Sequence, residues 1–79
     1  MPAAEPAVLD HVITIYRRVL EEDTVHPDSD FFDLGGDSLL ATRVISAVAR
    51  DLGVELNIVD FIDAATPRGV VELIASVTA

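Results

Sequence analysis

The sequence contains no cysteine, and every one of its five cations is an arginine: Arg17, Arg18, Arg43, Arg50 and Arg68. The missing cysteine excludes disulfides and thiolate metal sites. Two histidines, His11 and His26, are too few for a histidine-rich metal centre, so no metal site is expected. No apolar run approaches the roughly eighteen residues of a membrane span. The start, Met1-Pro2-Ala3-Ala4-Glu5-Pro6, lacks the basic and apolar regions of a signal peptide. The expected compartment is therefore the cytoplasm. Cations are so few that the formal charge is −9. A field of that sign repels nucleic acid and anionic membranes, and neither is an expected partner. It favours proteins that present basic patches, and it also keeps a small domain soluble.

Seventy-nine residues allow one small domain, burying roughly 60–65% of its unfolded surface. Hydrophobic residues make up 51% of the chain, enough for a core and far more than a disordered segment carries. Val8, Val12, Ile15, Tyr16 and Val19 recur at helical spacing and predict a helix from about Ala7 to Glu22, with Pro6 at its start. From Asp23 to Asp37 the chain reads as a long loop, rich in aspartate and holding Pro27, Gly35 and Gly36. Phe31, Phe32 and Leu34 are expected to anchor it. A loop of that length in so small a domain is usually functional.

A second helix is expected to begin at Ser38 with Asp37 as its N-cap and to stop at Gly53. Leu40, Val44, Ile45, Val48 and Leu52 form its apolar face. Val54 to Asn57 reads as extended, and Ile58 to Ala64 as a short third helix. Thr66-Pro67 pairs an N-cap with a proline at the first helical position, and a last helix runs to about Ser76 with Val70, Val71, Leu73 and Ile74 inward. Strand and helix do not alternate. The expected fold class is all-α: a small bundle of three main helices and one short one.

The functional reading turns on Ser38. It follows two glycines and an aspartate in Asp30-Phe31-Phe32-Asp33-Leu34-Gly35-Gly36-Asp37-Ser38-Leu39-Leu40, where loop gives way to helix. A hydroxyl there lies beside free backbone N–H groups and a positive dipole end, which suits a phosphate. The glycines keep its approach clear of side chains. Gly36-Asp37-Ser38-Leu39 also spells a signature of one esterase family, and Asp23-Thr24-Val25-His26 supplies an Asp-x-x-His. Those hydrolases need a parallel sheet, and no strand pattern precedes Ser38. Their Asp-x-x-His follows the serine; here it precedes it. A third reading makes Ser38 only a helix-start residue beside an ordinary turn.

The longer run from Val25 to Arg43, with its flanking helices, resembles the core motif of carrier proteins, and above all the peptidyl carrier (thiolation) domain of nonribosomal peptide synthesis. The likeness extends from about Val8 to Ile74. The doubled glycine and the Asp-Phe-Phe-Asp-Leu lead-in favour peptidyl carriers over the acyl carriers of polyketide and fatty-acid synthesis. The resemblance implies an acyl carrier protein-like bundle with 4′-phosphopantetheine from coenzyme A attached to Ser38. It further implies that the arm's thiol holds an aminoacyl or peptidyl thioester and that the carrier catalyses nothing. The implied partners are a phosphopantetheinyl transferase, an adenylation enzyme or domain, and condensation or tailoring enzymes. By the same resemblance Asp37 helps orient the transferase and its magnesium, and the carrier is a monomer. Residues 1–6 are expected to be a short flexible N-terminus and 7–77 a single carrier domain, free-standing because Met1 lies so close to its start.

The chain departs from the family near the third helix. Members often read Leu-Phe-Glu-x-Pro-Thr, whereas this chain has Asp60-Phe61-Ile62-Asp63-Ala64-Ala65-Thr66-Pro67. Ile58 and Ile62 are either core residues of a short helix or, with Leu39, a face presented to partner enzymes. Arg43 is either a solvated helix residue or one that pairs with an acidic partner residue. His11 and His26 are expected on the surface with no partner constellation.

Overall fold

The computed structural model describes residues 5–78 of the chain. They form α1 (Glu5–Leu20), α2 (Ser38–Leu52), α3 (Ile58–Ala64) and α4 (Pro67–Thr78), with no strand among the described residues. The all-α expectation holds, with three main helices and one short one. α1 packs on α2 and α4, and α3 closes the bundle by packing on both of those helices. The expected core positions Val12, Ile15, Val44, Val48, Val70 and Ile74 are all buried in one cluster. Residues 1–4 of the expected flexible start lie outside the described residues, while Glu5 and Pro6 belong to the first turn of α1.

α1 ends at Leu20, two residues before the expected Glu22. Glu21 takes a left-handed conformation (φ 51°), and the Glu22 N–H donates back to the Arg17 carbonyl at 3.1 Å. That is the helix-ending arrangement usually built around glycine, here made with glutamate. The α2 boundaries agree with expectation. Asp37 is extended (φ −141°) and its carboxylate accepts from the Leu40 N–H, while Gly53 stops the helix at φ 69°. Val54 and Leu56 then alternate inward in an extended connection, and Asn57 caps α3 by accepting from the Val59 N–H at 2.8 Å. Thr66 caps α4 through the Gly69 N–H at 3.0 Å, with Pro67 buried at the first helical position. α4 runs on to Thr78, past the expected Ser76.

The long loop is fastened at three places. Val25 is buried, the Pro27 carbonyl accepts from the Arg68 N–H at 2.9 Å, and the Arg68 side chain meets Asp28 at 3.0 Å. Phe31 then enters the core, where it packs edge-on against Tyr16 (5.3 Å between centroids) and Phe61 (5.2 Å). The Ala65 carbonyl accepts both the Tyr16 hydroxyl, at 2.8 Å, and the Phe31 N–H, at 3.1 Å. Phe32 stays at the surface instead of entering the core, its ring packed edge-on against Phe31 at 5.4 Å between centroids. Asp30 caps a single turn here, accepting from the N–H groups of Phe32 (2.8 Å) and Asp33 (3.2 Å), and that turn sends Phe31 inward and Phe32 out. Leu34 is half-buried against the core.

Candidate functional site

The turn that begins at Asp30 delivers the chain to α2. Gly35 is left-handed at φ 97° with open space where a side chain would be. The Gly36 N–H donates to the Phe31 carbonyl at 3.0 Å, and a β-carbon on Gly36 would collide with the Phe31 ring. The sequence suggests that both glycines clear the approach to the serine. The geometry separates them: Gly35 lies open, and Gly36 lets the backbone lie flat on Phe31. Asp37 then caps α2, its carboxylate 2.9 Å from the Leu40 nitrogen and its carbonyl 2.8 Å from that of Ala41.

Ser38 is the first residue of α2 and is exposed. Among the described residues, the N–H groups of Ser38 and Leu39 have no acceptor, so the positive end of the α2 dipole is free beside the hydroxyl. No side-chain base is hydrogen-bonded to the Ser38 hydroxyl among the described residues, and His26 is exposed in the loop. Nucleophilic catalysis needs such a base within reach, and an enclosed oxyanion site as well. The arrangement instead offers a hydroxyl to an outside enzyme and an anion-tolerant surround for a phosphate ester. A phosphodiester at Ser38 fits these residues.

The two consecutive leucines divide their tasks. Leu40 is half-buried on the core, whereas Leu39 is 66% exposed next to Ser38. On α3, Ile58, Val59 and Ile62 are also exposed, so Ile58 and Ile62 are surface rather than core residues. Arg43 is exposed on α2. His11 corrects an expectation: it has a partner, with Nε2 at 2.9 Å from the Asp51 carboxylate, linking α1 to α2. That bond, followed by the Arg50 guanidinium at 3.1 Å, holds the Asp51 carboxyl below its ordinary value. Tyr16 moves the other way: burial first, then the charge of Asp30, pushes its phenol well above the usual range, so it stays a neutral donor to Ala65. Among the described residues there is no cluster of three or more metal-ligating side chains, and no helix is long and apolar enough to cross a membrane.

Residues 10–74, most of the chain and including the whole of this site, match the family model described as "Phosphopantetheine attachment site". The chain belongs to that family. Its cofactor is accordingly 4′-phosphopantetheine, and it is a non-catalytic carrier domain rather than an enzyme. Among curated relatives, the probable non-canonical nonribosomal peptide synthetase CymA of Salinispora arenicola is 46% identical over 55 residues, 70% of this chain. The polyketide synthase PksN of Bacillus subtilis is 32% identical over 65 residues, 82% of this chain. The chain spans only 1% of the length of either relative. Among solved structures, BlmI, a type-II acyl carrier protein of Streptomyces verticillus involved in bleomycin biosynthesis, superposes with a TM-score of 0.92. It is 24% identical, with 99% of this chain and 94% of that one covered, and it supports the carrier fold alone. A peptidyl carrier protein solved with the phosphopantetheine transferase Sfp and coenzyme A is 28% identical, with a TM-score of 0.84 over 87% of this chain and 90% of that chain.

Proposed function

We propose that Ser38 is the attachment point of 4′-phosphopantetheine and that the carrier serves nonribosomal peptide synthesis. The observation that carries this reading is the exposed Ser38 hydroxyl on the first turn of α2, capped by Asp37, inside the segment matched to the family. When attached, the group supplies a flexible arm whose thiol holds an aminoacyl or peptidyl group as a thioester. Ser38 would provide the oxygen that bonds to the pantetheine-side phosphorus of coenzyme A as the pyrophosphate P–O bond breaks, the adenosine bisphosphate leaving with the electron pair and the serine proton passing out of the site. Asp37 holds the first turn in place and leaves the two free amides facing the site. Gly36 keeps the preceding backbone seated on Phe31. Leu39 on α2 and Ile62 on α3 form apolar contact points for enzymes that approach, with Arg43 beside Leu39.

The partners in this reading are a phosphopantetheinyl transferase, an adenylation enzyme or domain, and condensation or tailoring enzymes. The carrier works as a monomer, as one domain over residues 7–77, in the cytoplasm where coenzyme A is available. Polyketide assembly is the second reading, favoured by the PksN relative. The doubled glycine at Gly35-Gly36 and its Asp-Phe-Phe-Asp-Leu lead-in support the peptide pathway.

The test is intact-mass measurement after incubation with coenzyme A, magnesium and a broad-specificity transferase. The expected product is a single phosphopantetheinyl adduct, absent from Ser38→Ala. An adduct that persists in Ser38→Ala, at Ser29 or Ser46, would overturn the assignment. Loading by amino acids with adenylating enzymes, compared with malonyl or acyl donors, separates the two pathways.

A further inference from the structure

Three of the five arginines, Arg18, Arg43 and Arg50, line one groove of about 380 Å³ between α1 and α2. Half-buried Val19 and exposed Leu39 supply its accessible apolar lining, above the buried side chains of Ile15 and Ala47. No aspartate or glutamate contributes to it. Among the described residues, neither Arg18 nor Arg43 forms an ion pair, although the chain carries 14 acidic residues. Arg50 meets only its neighbour Asp51. A second cavity, about 600 Å³, shows the opposite pattern: Asp30, Asp60, Asp63 and Glu72 line it, and no cation does. In a molecule of net charge −9, positive charge is thus concentrated along one groove whose lining includes the residue next to Ser38.

We propose that this groove docks an acidic amphipathic helix of a partner enzyme. Arg43 and Arg50 are seven residues apart, so they lie on one face of α2 about 10 Å apart along its axis. A partner helix with carboxylates two turns apart matches that spacing. Its apolar side chains then cover half-buried Val19 and exposed Leu39, as a helix laid in a groove does. A small anion would leave Val19 and Leu39 uncovered. The long-range field of the molecule repels extended polyanions, so the complementary partner is a protein segment with local acidic charge. The proposal rests on the reading of Ser38 as the loaded residue, because an enzyme that reaches Ser38 also covers Leu39.

The test uses isotope-labelled Ser38→Ala protein, in which loading plays no part, so its outcome is independent of whether Ser38 is modified. The probe is a synthetic amphipathic helix with glutamates seven residues apart and leucines between them, alongside its lysine counterpart. The expected result is binding of the glutamate peptide alone, with shifts in the signals of Ile15, Arg18, Leu39, Arg43, Ala47 and Arg50. Binding weakens as salt rises. Arg43→Glu combined with Arg50→Glu, measured at a temperature where helical dichroism shows it folded, weakens the glutamate peptide at least about tenfold and gains affinity for the lysine peptide. Equal binding of both peptides, shifts confined to Ile58, Val59 and Ile62, or undiminished binding by the charge-reversed protein would overturn the proposal. So would a single-stranded oligonucleotide or an anionic vesicle that displaced the glutamate peptide from the same signals.

Discussion

The Phe31 ring occupies the place where a β-carbon on Gly36 would sit, so the backbone two residues before Ser38 rests directly on the aromatic core. Gly36→Ala must push apart groups that are packed in contact, and overpacking of this kind costs about 1–3 kcal/mol. Gly35→Ala meets no neighbour and pays only for its left-handed backbone, about 1–2 kcal/mol. Urea melts measure both losses. The variants part in modification kinetics: at temperatures where both are folded, Gly36→Ala slows transfer to Ser38 more than Gly35→Ala. Equal stability of Gly36→Ala and the parent would show that Phe31 yields freely and places no constraint on the loop.

Leu39 and Val48 lie on the same helix with opposite exposure. Leu39→Ala changes stability by no more than about 0.5 kcal/mol while slowing loading. Val48→Ala opens a cavity and costs about 1–4 kcal/mol. Reversal of the two stability effects would place Leu39 in the core and remove it from the partner face.

Tyr16 is the only tyrosine, so phenolate absorbance reports it alone. Its raised pKa means that the folded protein keeps its proton where the unfolded chain begins to lose it, near pH 10. This contribution to stability is complete below pH 10 and is lost as pH rises above it. Alkaline titration therefore shows no phenolate near pH 10 in the folded protein, and phenolate appears together with the loss of helical dichroism. A simple titration at pH 10 with helices intact would contradict the buried hydrogen bond to Ala65.

Asp51 works at the acid end. Its carboxyl is held below the ordinary 3.8 by the His11 hydrogen bond first and Arg50 second, so its contribution is present above that value and lost as pH falls through the lowered one. Asp51→Asn consequently lowers the melting temperature at pH 6, and the gap from the parent closes below about pH 4. A gap that stayed constant down to pH 2 would show that the carboxylate charge contributes nothing.

Asp37→Ala separates capping from chemistry. Loss of the bond to the Leu40 N–H costs about 1 kcal/mol of stability. Guanidine melts check this, and Asp37→Asn, which keeps a capping oxygen, restores most of the loss. If the asparagine variant melts normally yet is modified slowly, the charge of Asp37 serves the transferase in addition to the helix.

The ends of α2 were legible because aspartate before a periodic run and glycine after it are strong local signals, and both act locally. The place of Ser38 on the first turn of α2 was legible for the same reason. The end of α1 was not, since nothing in a glutamate announces a left-handed residue at Glu21. Phe31 and Phe32 look alike in sequence, and only the turn capped by Asp30 decides which enters the core. Ile58 and Ile62 were ambiguous because a seven-residue helix is too short for periodicity to assign its faces. The contacts Arg68–Asp28, His11–Asp51 and Tyr16–Ala65 join residues 40 or more positions apart, a distance at which spacing rules say nothing.

The Ala65 carbonyl is a single pin through three parts of the molecule. The hydroxyl from α1 and the amide from the loop both hang on one oxygen at the junction of α3 and α4. Pulling that junction outward breaks both attachments together and withdraws the support beneath the Phe31 ring, on which Gly36 lies. The α3–α4 junction and the strap leading to Ser38 therefore share one anchoring oxygen, and neither can be displaced without loosening the other.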